Sequence, residues 1–234
     1  MANSARNQPG AEPRSRQTQE PETNALDNIL AFYESKKKVI NTSVSAVLIV
    51  VVGYFVYDRM YKAPTEEKAA TALSYPQLYF QADSLNLALN GDGKHKGFEK
   101  LAQQFDGTDG GNIARYYTGI SYLKMGEFAK AIKALESFNG KGTMLAYQAW
   151  GALGQAYMET GNKSKAIDNY KKATGDKNNN LLTPMYLYQL GLAYEANNQA
   201  TEAKEAFKRI RDEYPKSMQA RDMDKYLAKL GVVE

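Results

Sequence analysis

Residues 147–180 read YQAWGALGQAYMETGNKSKAIDNYKKATGDKNNN, and their pattern appears three times in the chain. Gly154 is followed by Tyr157 and, nine residues after the tyrosine, by Ala166. The same offsets link Gly119, Tyr122 and Ala131, and again Gly191, Tyr194 and Ala203, so the copies stand 35 and then 37 residues apart. Four residues after each alanine comes a large side chain, Leu135, Tyr170 or Phe207, and three further on Phe138, Ala173 or Ile210. Self-similarity at such a period is the signature of stacked repeats. Each copy reads as two helices. Glycine and alanine at fixed places let the helices approach, and tyrosine and phenylalanine fill the gap to the next copy. A single copy leaves an apolar face uncovered, so stacking supplies the core.

Gly126, Gly161 and Asn198 share one place between the paired helices, where a left-handed backbone is useful. With these turns, the pattern resembles the tetratricopeptide repeat, a helix-turn-helix unit of about 34 residues. Copies fall at 112–145, 147–180 and 184–217; the second has Trp150 and Leu153, and the third has the late Pro215. Copy one departs, with Arg115 and Thr118 where large apolar residues are usual, and copies one and two lack the late proline. A degenerate copy is expected at 79–112, with Gly93 at the turn and Phe98, Ala102 and Phe105 in the second helix, but with Asn86 for the glycine and Leu89 for the tyrosine. Residues 218–234, carrying Met218, Tyr226, Leu227 and Leu230, read as a capping helix.

Upstream, residues 39–57 read VINTSVSAVLIVVVGYFVY, an uncharged run bounded by Lys36, Lys37 and Lys38 on one side and Asp58 and Arg59 on the other. At about 1.5 Å per residue it spans roughly 28 Å, close to the hydrocarbon thickness of a bilayer. Tyr54, Tyr57 and Tyr61 cluster at its far end, where aromatic belts sit. The run is long for a signal peptide and no small-residue cleavage site follows, so an uncleaved signal anchor is expected. The lysine triplet, with Arg14 and Arg16, predicts the N-terminus inside and the repeats outside. Asn41, Thr42, Ser43 and Ser45 are candidates for contact with another membrane helix.

The expected fold is therefore all-α: one N-terminal transmembrane helix, then a tetratricopeptide-type helical-hairpin solenoid with a C-terminal cap. Residues 1–24 form a polar, proline-bearing tail expected to be disordered. Residues 25–38 have apolar positions at helical spacing (26, 29, 30, 32, 33), either lying on the membrane or extending the helix. Residues 58–78 read as a linker helix in which Thr65 caps a helix starting at Glu66 and Pro76 breaks it. The net charge of +4 marks no nucleic-acid binder.

No catalytic, cofactor or metal residues are expected. Cysteine is absent and His95 is the single histidine, which excludes zinc sites of the usual kinds. Residues 91–97, GDGKHKG, lack the spacing of a phosphate loop, and 106–112, DGTDGGN, lack the alternating acids of a calcium loop. His95 is expected in an exposed turn without a catalytic partner. Neither an enzyme nor a small-molecule substrate is expected.

A binding surface remains. In tetratricopeptide repeats ligands often lie against the first helices; carried over by position, that face holds Tyr116, Ile120, Leu123, Lys124, Gln148, Gln155, Met158, Glu159, Met185, Tyr188, Leu192 and Glu195. The mixture suits an extended or helical peptide, and it shows no two-lysine clamp for a terminal carboxylate. The order of anchor, short inner tail and outer repeat domain, over residues 25–234, resembles the YfgM-like ancillary subunits of the bacterial Sec translocon. That resemblance implies an inner-membrane protein with a periplasmic repeat domain. Its implied partners are translocon subunits and a membrane-anchored chaperone of the peptidyl-prolyl isomerase type. A scaffold of another envelope assembly or secretion machine, or an organelle import receptor, is the alternative.

Overall fold

In the computed structural model, residues 21–231 are described. They form two compact units that divide after Tyr57.

The first unit is one helix, α1 (Pro21–Tyr57). The expected amphipathic segment and the apolar run are thus one uninterrupted rod, and it takes in the last four residues of the expected tail; residues 1–20 lie outside the described part. The helix is long and apolar enough to cross a membrane. Its polar residues are partly satisfied within it: the Thr42 hydroxyl donates to the Lys38 carbonyl at 2.7 Å and the Tyr33 hydroxyl to Asn41 Oδ1 at 3.2 Å. At about 100° per residue, Asn41, Ser45 and Thr42 share one face and Ser43 points to the other. The four expected contact residues therefore do not make a single patch.

The second unit begins with a π-helical turn (Asp58–Lys62), then α2 (Ala63–Ala72) and α3 (Ser74–Gln81). The expected cap at Thr65 is not formed. Thr65 lies inside α2 and its hydroxyl returns to the Tyr61 carbonyl at 2.6 Å. The helix does break near Pro76, at Leu73, because proline brings no N–H to the carbonyl of Ala72. Nor is this stretch only a linker. Ala69 and Leu73 are buried against Phe98, Leu101, Phe105 and Ala114. The Glu66 carboxylate accepts the Asp109 N–H at 2.9–3.0 Å, adding a charge at the start of α6 (Asp109–Lys124).

The degenerate copy is a reduced hairpin of α4 (Leu85–Asn90) and α5 (Phe98–Gln104). Residues 91–97 form a loop pinned by a Gly91–Lys96 bridge, in place of the short turn of later copies. Phe98 and Phe105 are buried as expected, while Ala102 is half-buried. Of residues 106–112, the first three connect this copy to α6 and the rest open that helix: the Thr108 hydroxyl accepts the Gly111 N–H at 3.0 Å and caps it.

Three regular hairpins follow: α6 with α7 (Phe128–Glu136), α8 (Met144–Glu159) with α9 (Lys163–Ala173), and α10 (Leu182–Ala196) with α11 (Ala200–Glu213). Their turns are alike. Gly126, Gly161 and Asn198 have φ of 77°, 77° and 60°. Each turn closes with the same pair of bonds: Glu127, Asn162 and Gln199 N–H reach back to Tyr122, Tyr157 and Tyr194 carbonyls at 2.8–2.9 Å, and Gly126, Gly161 and Asn198 N–H to Leu123, Met158 and Glu195 carbonyls at 3.0–3.1 Å. This is the Schellman arrangement, which satisfies carbonyls left over at a helix end.

Inside each hairpin the repeat signature explains itself. A β-carbon on Gly119 would stand 2.4 Å from Leu135 Cγ, on Gly154 2.6 Å from Tyr170 Cδ1, and on Gly191 2.3 Å from Phe207 Cε1. Ala131, Ala166 and Ala203 are fully buried. The expected C-terminal cap is described as far as residue 231, and residues 232–234 lie outside the described part. The cap is a 3₁₀ turn (Gln219–Asp222) and α12 (Met223–Lys229), with Met223 and Leu227 buried. Met218, at the start of the capping segment, is 77% exposed.

Candidate functional site

Helices α6, α8 and α10 lie side by side, the first helices of the three hairpins, and the cleft across them has a volume of about 790 Å³. Of the twelve residues expected on this face, ten line it: Tyr116, Ile120, Leu123, Lys124, Gln148, Gln155, Met158, Glu159, Met185 and Leu192. Tyr188 and Glu195 do not. The Tyr188 hydroxyl bonds that of Tyr226 at 2.6 Å, and Glu195 accepts from Lys229 at 3.0 Å. The last short helix, which carries Tyr226 and Lys229, takes up the side of α10 that these two residues face.

The cleft also holds residues that positional carry-over missed, chiefly Tyr170, Tyr186 and Gln189. Tyr186 enters because Gly151 stands where copies one and three have Tyr116 and Tyr188. The missing side chain was the available signal. Tyr116 donates to Gln148 Oε1 at 2.8 Å. Burial pushes the Tyr116 and Tyr170 hydroxyls upward and brings Tyr186 to about 12, so all three remain neutral donors near pH 7. Glutamine amides alternate here with Ile120, Leu123, Met158 and Met185. Such a lining can bond a peptide backbone and take apolar side chains. Lys124 is already engaged, 2.5 Å from Asp83 and over the Phe80 ring.

The opposite layer, of second helices, has its own recurring clip. Tyr122 donates to Glu99 with Lys130 over its ring, and Tyr157 donates to Glu136 at 2.5 Å with Lys165 over its ring. In the third hairpin Lys171 lies over Tyr194 at 5.6 Å. These contacts tie neighbouring hairpins together.

His95 is less isolated than expected. Its ring stacks on Tyr75 at 3.4 Å and its Nδ1 lies 2.9 Å from Asp92 Oδ2, which also accepts from the Tyr79 hydroxyl at 2.7 Å. The group pins the 91–97 loop. Among the described residues no group of three or more His, Cys, Asp or Glu is placed to hold a metal ion.

Family models described as tetratricopeptide repeat match residues 116–180 and 186–217. These segments are tetratricopeptide repeats. The degenerate 79–112 hairpin lies outside both matched stretches. Among solved structures, the repeats are similar to nearly identical TPR-like repeats from Podosopora anserina, a Q17M crystal structure assigned to a kinesin light chain. The identity is 15% and the TM-score 0.52, over 70% of this chain and 85% of that one. A crystal structure of MamA protein is 22% identical with a TM-score of 0.49, over 86% of this chain and 98% of that one. No curated protein matches the sequence. The matched repeats imply a protein-interaction module.

Proposed function

We propose that this protein is a single-pass membrane protein whose tetratricopeptide domain docks polypeptide segments in the cleft of α6, α8 and α10. The observation that carries this is the cleft itself: neutral tyrosine hydroxyls and glutamine amides set among apolar side chains over three adjacent repeats. Helix α1 anchors the domain, with the N-terminus inside and the repeats outside, following the Lys36–Lys38 flank. Anchoring raises the effective concentration of the cleft toward membrane-bound partners.

The finer reading rests on the resemblance to YfgM-like subunits. It makes the protein an ancillary subunit of the Sec translocon on the periplasmic face of a bacterial inner membrane. There it works beside a membrane-anchored chaperone of the peptidyl-prolyl isomerase type, assisting secreted or membrane proteins. Protease added to spheroplasts tests the topology. The repeats are expected to be digested from outside, and protection of an otherwise cleavable domain would overturn the orientation. Purification in mild detergents tests the partners. Channel subunits are expected to copurify, and their absence across several detergents would contradict the translocon assignment.

A further inference from the structure

The connectors that lead from the second helix of one hairpin into the next first helix lie at one edge of the repeat unit, and the left-handed turns lie at the other. At three successive connectors the same place holds a large apolar side chain in the open: Met144, Leu181 and Met218, 59%, 78% and 77% exposed. They stand 37 residues apart, so they recur with the repeat. Neighbouring helices pack about 8–10 Å apart, and the row runs about 20 Å along the edge. In copy one the equivalent residue is Asp109, and the row ends there.

Each member of the row has a lysine within four residues, in the connector before it: Lys141, Lys177 and Lys216. All three are exposed, and none has an ion-pair partner among the described residues. The connectors, 137–143, 174–181 and 214–218, hold a single carboxylate, Asp176. The helix ends beside them carry both signs: Glu136, Asp212 and Glu213 against Lys171, Lys172, Arg209 and Arg211, with Arg221 and Asp222 just beyond. Of these, Arg209 pairs with Glu213 at 3.1 Å and Arg211 with Asp212 at 2.9 Å. The row is thus set in a positive surround, and apolar side chains among lysines suit a surface of acidic lipid headgroups.

The tether favours the same edge. Asp109 gives its N–H to Glu66, which follows the end of the apolar run at Tyr57 by nine residues. Nine residues reach at most about 30 Å. The edge of turns lies a helix further on, since α6, with 16 residues, adds about 24 Å. By chain length the connector edge is the one tied closer to the run. Asp109 and Glu66 make its first part acidic, which confines lipid contact to the three later places.

We propose that Met144, Leu181 and Met218 seat the repeat unit edge-on on an acidic bilayer surface, with Lys141, Lys177 and Lys216 at lipid phosphates. This rests on the reading of residues 39–57 as a membrane span. None of the six lines the first-helix cleft, so docking leaves that cleft accessible to polypeptide.

The chain has no cysteine, so a single introduced cysteine carries a probe cleanly. Full chains bearing the environment-sensitive fluorophore NBD at Leu181→Cys, at Ser164→Cys near the Gly161 turn, or at Val50→Cys in the run are reconstituted in vesicles. The vesicles hold phosphatidylcholine and phosphatidylglycerol in equal parts, with nitroxide-bearing lipid as quencher. Quenching is expected at Val50 and at Leu181, and at Leu181 about twofold or more above Ser164. Phosphatidylcholine alone, or Lys141→Glu with Lys177→Glu and Lys216→Glu, should bring Leu181 down to the Ser164 level while Val50 stays quenched. Leu181 quenching unchanged by both would contradict the lysine contacts. Equal quenching at Leu181 and Ser164 in the acidic vesicles, with Val50 quenched, would overturn the docking and leave the span standing. A blue-shifted but unquenched Leu181 probe would overturn it in favour of a second copy covering the row. Absence of quenching at both Val50 and Leu181 would overturn span and docking together.

Discussion

The ring of Tyr186 lies against the α-carbon of Gly151: a β-carbon there would stand 2.0 Å from Tyr186 Cε1 and 2.4 Å from Cζ. One missing side chain on α8 therefore lets α10 place a tyrosine in the floor of the cleft. Gly151→Ala is expected to force that ring aside and to destabilise the domain by about 1–3 kcal/mol. Denaturant unfolding of the solubilised chain, followed by circular dichroism, measures it. In a Tyr186→Ala background the same change should cost much less, because the clash is gone.

Ser121 is the opposite case, a small group that is too polar. It is fully buried in α6 and its hydroxyl has no hydrogen-bond partner among the described residues. The equivalent residues in the next two repeats are Ala156 and Ala193, both fully buried. Ser121→Ala should raise stability by about 1 kcal/mol, since it removes an unmet desolvation cost. A lower unfolding midpoint in the variant would show that the hydroxyl is satisfied after all.

The 91–97 loop should respond to acid. His95, through its ring and its backbone N–H, and the Tyr79 hydroxyl hold the Asp92 carboxyl well below its ordinary value of 3.8. A carboxyl lowered in the folded state stabilises above its unfolded value, and that stabilisation is lost as pH falls below it. Asp92→Asn should therefore be less stable than the parent at pH 6, with the gap narrowing as pH drops from about 4 toward 2. An equal gap at both ends of that range would contradict the linkage.

At the other end, the cap is held by aromatic packing rather than by its ion pair. Tyr226 stacks edge-on against Tyr188 at 5.4 Å and packs on Phe207 at 5.1 Å, whereas Lys229 reaches Glu195 from a largely exposed position. Lys229→Ala should change stability by about 0.5 kcal/mol or less, and Tyr226→Ala by about 3 kcal/mol. Hydrogen exchange of α12 amides would report the undocking directly.

The hairpins were legible because their crowding is local and repeated. Gly154 must face Tyr170, and Gly126 and Gly161 must turn left-handed, so the same letters return at the same offsets. That register placed ten of the twelve expected residues along the cleft. What escaped depends on contacts that do not repeat. Tyr188 and Glu195 turn to a cap of sequence unlike any repeat, and Glu66 reaches Asp109 across 43 residues. Thr65 had the letters of a helix start, but the backbone before it was already helical, so its hydroxyl went to Tyr61 instead.

The central claim is that the cleft of first helices holds polypeptide. A photo-crosslinking amino acid at Gln155, within that cleft, and at Glu205, exposed on α11, tests it in intact membranes. The account predicts a discrete protein adduct from Gln155, lost when Met158→Glu places a charge on the cleft wall, and none from Glu205. Adducts of equal yield from both positions, or from Glu205 alone, would contradict it.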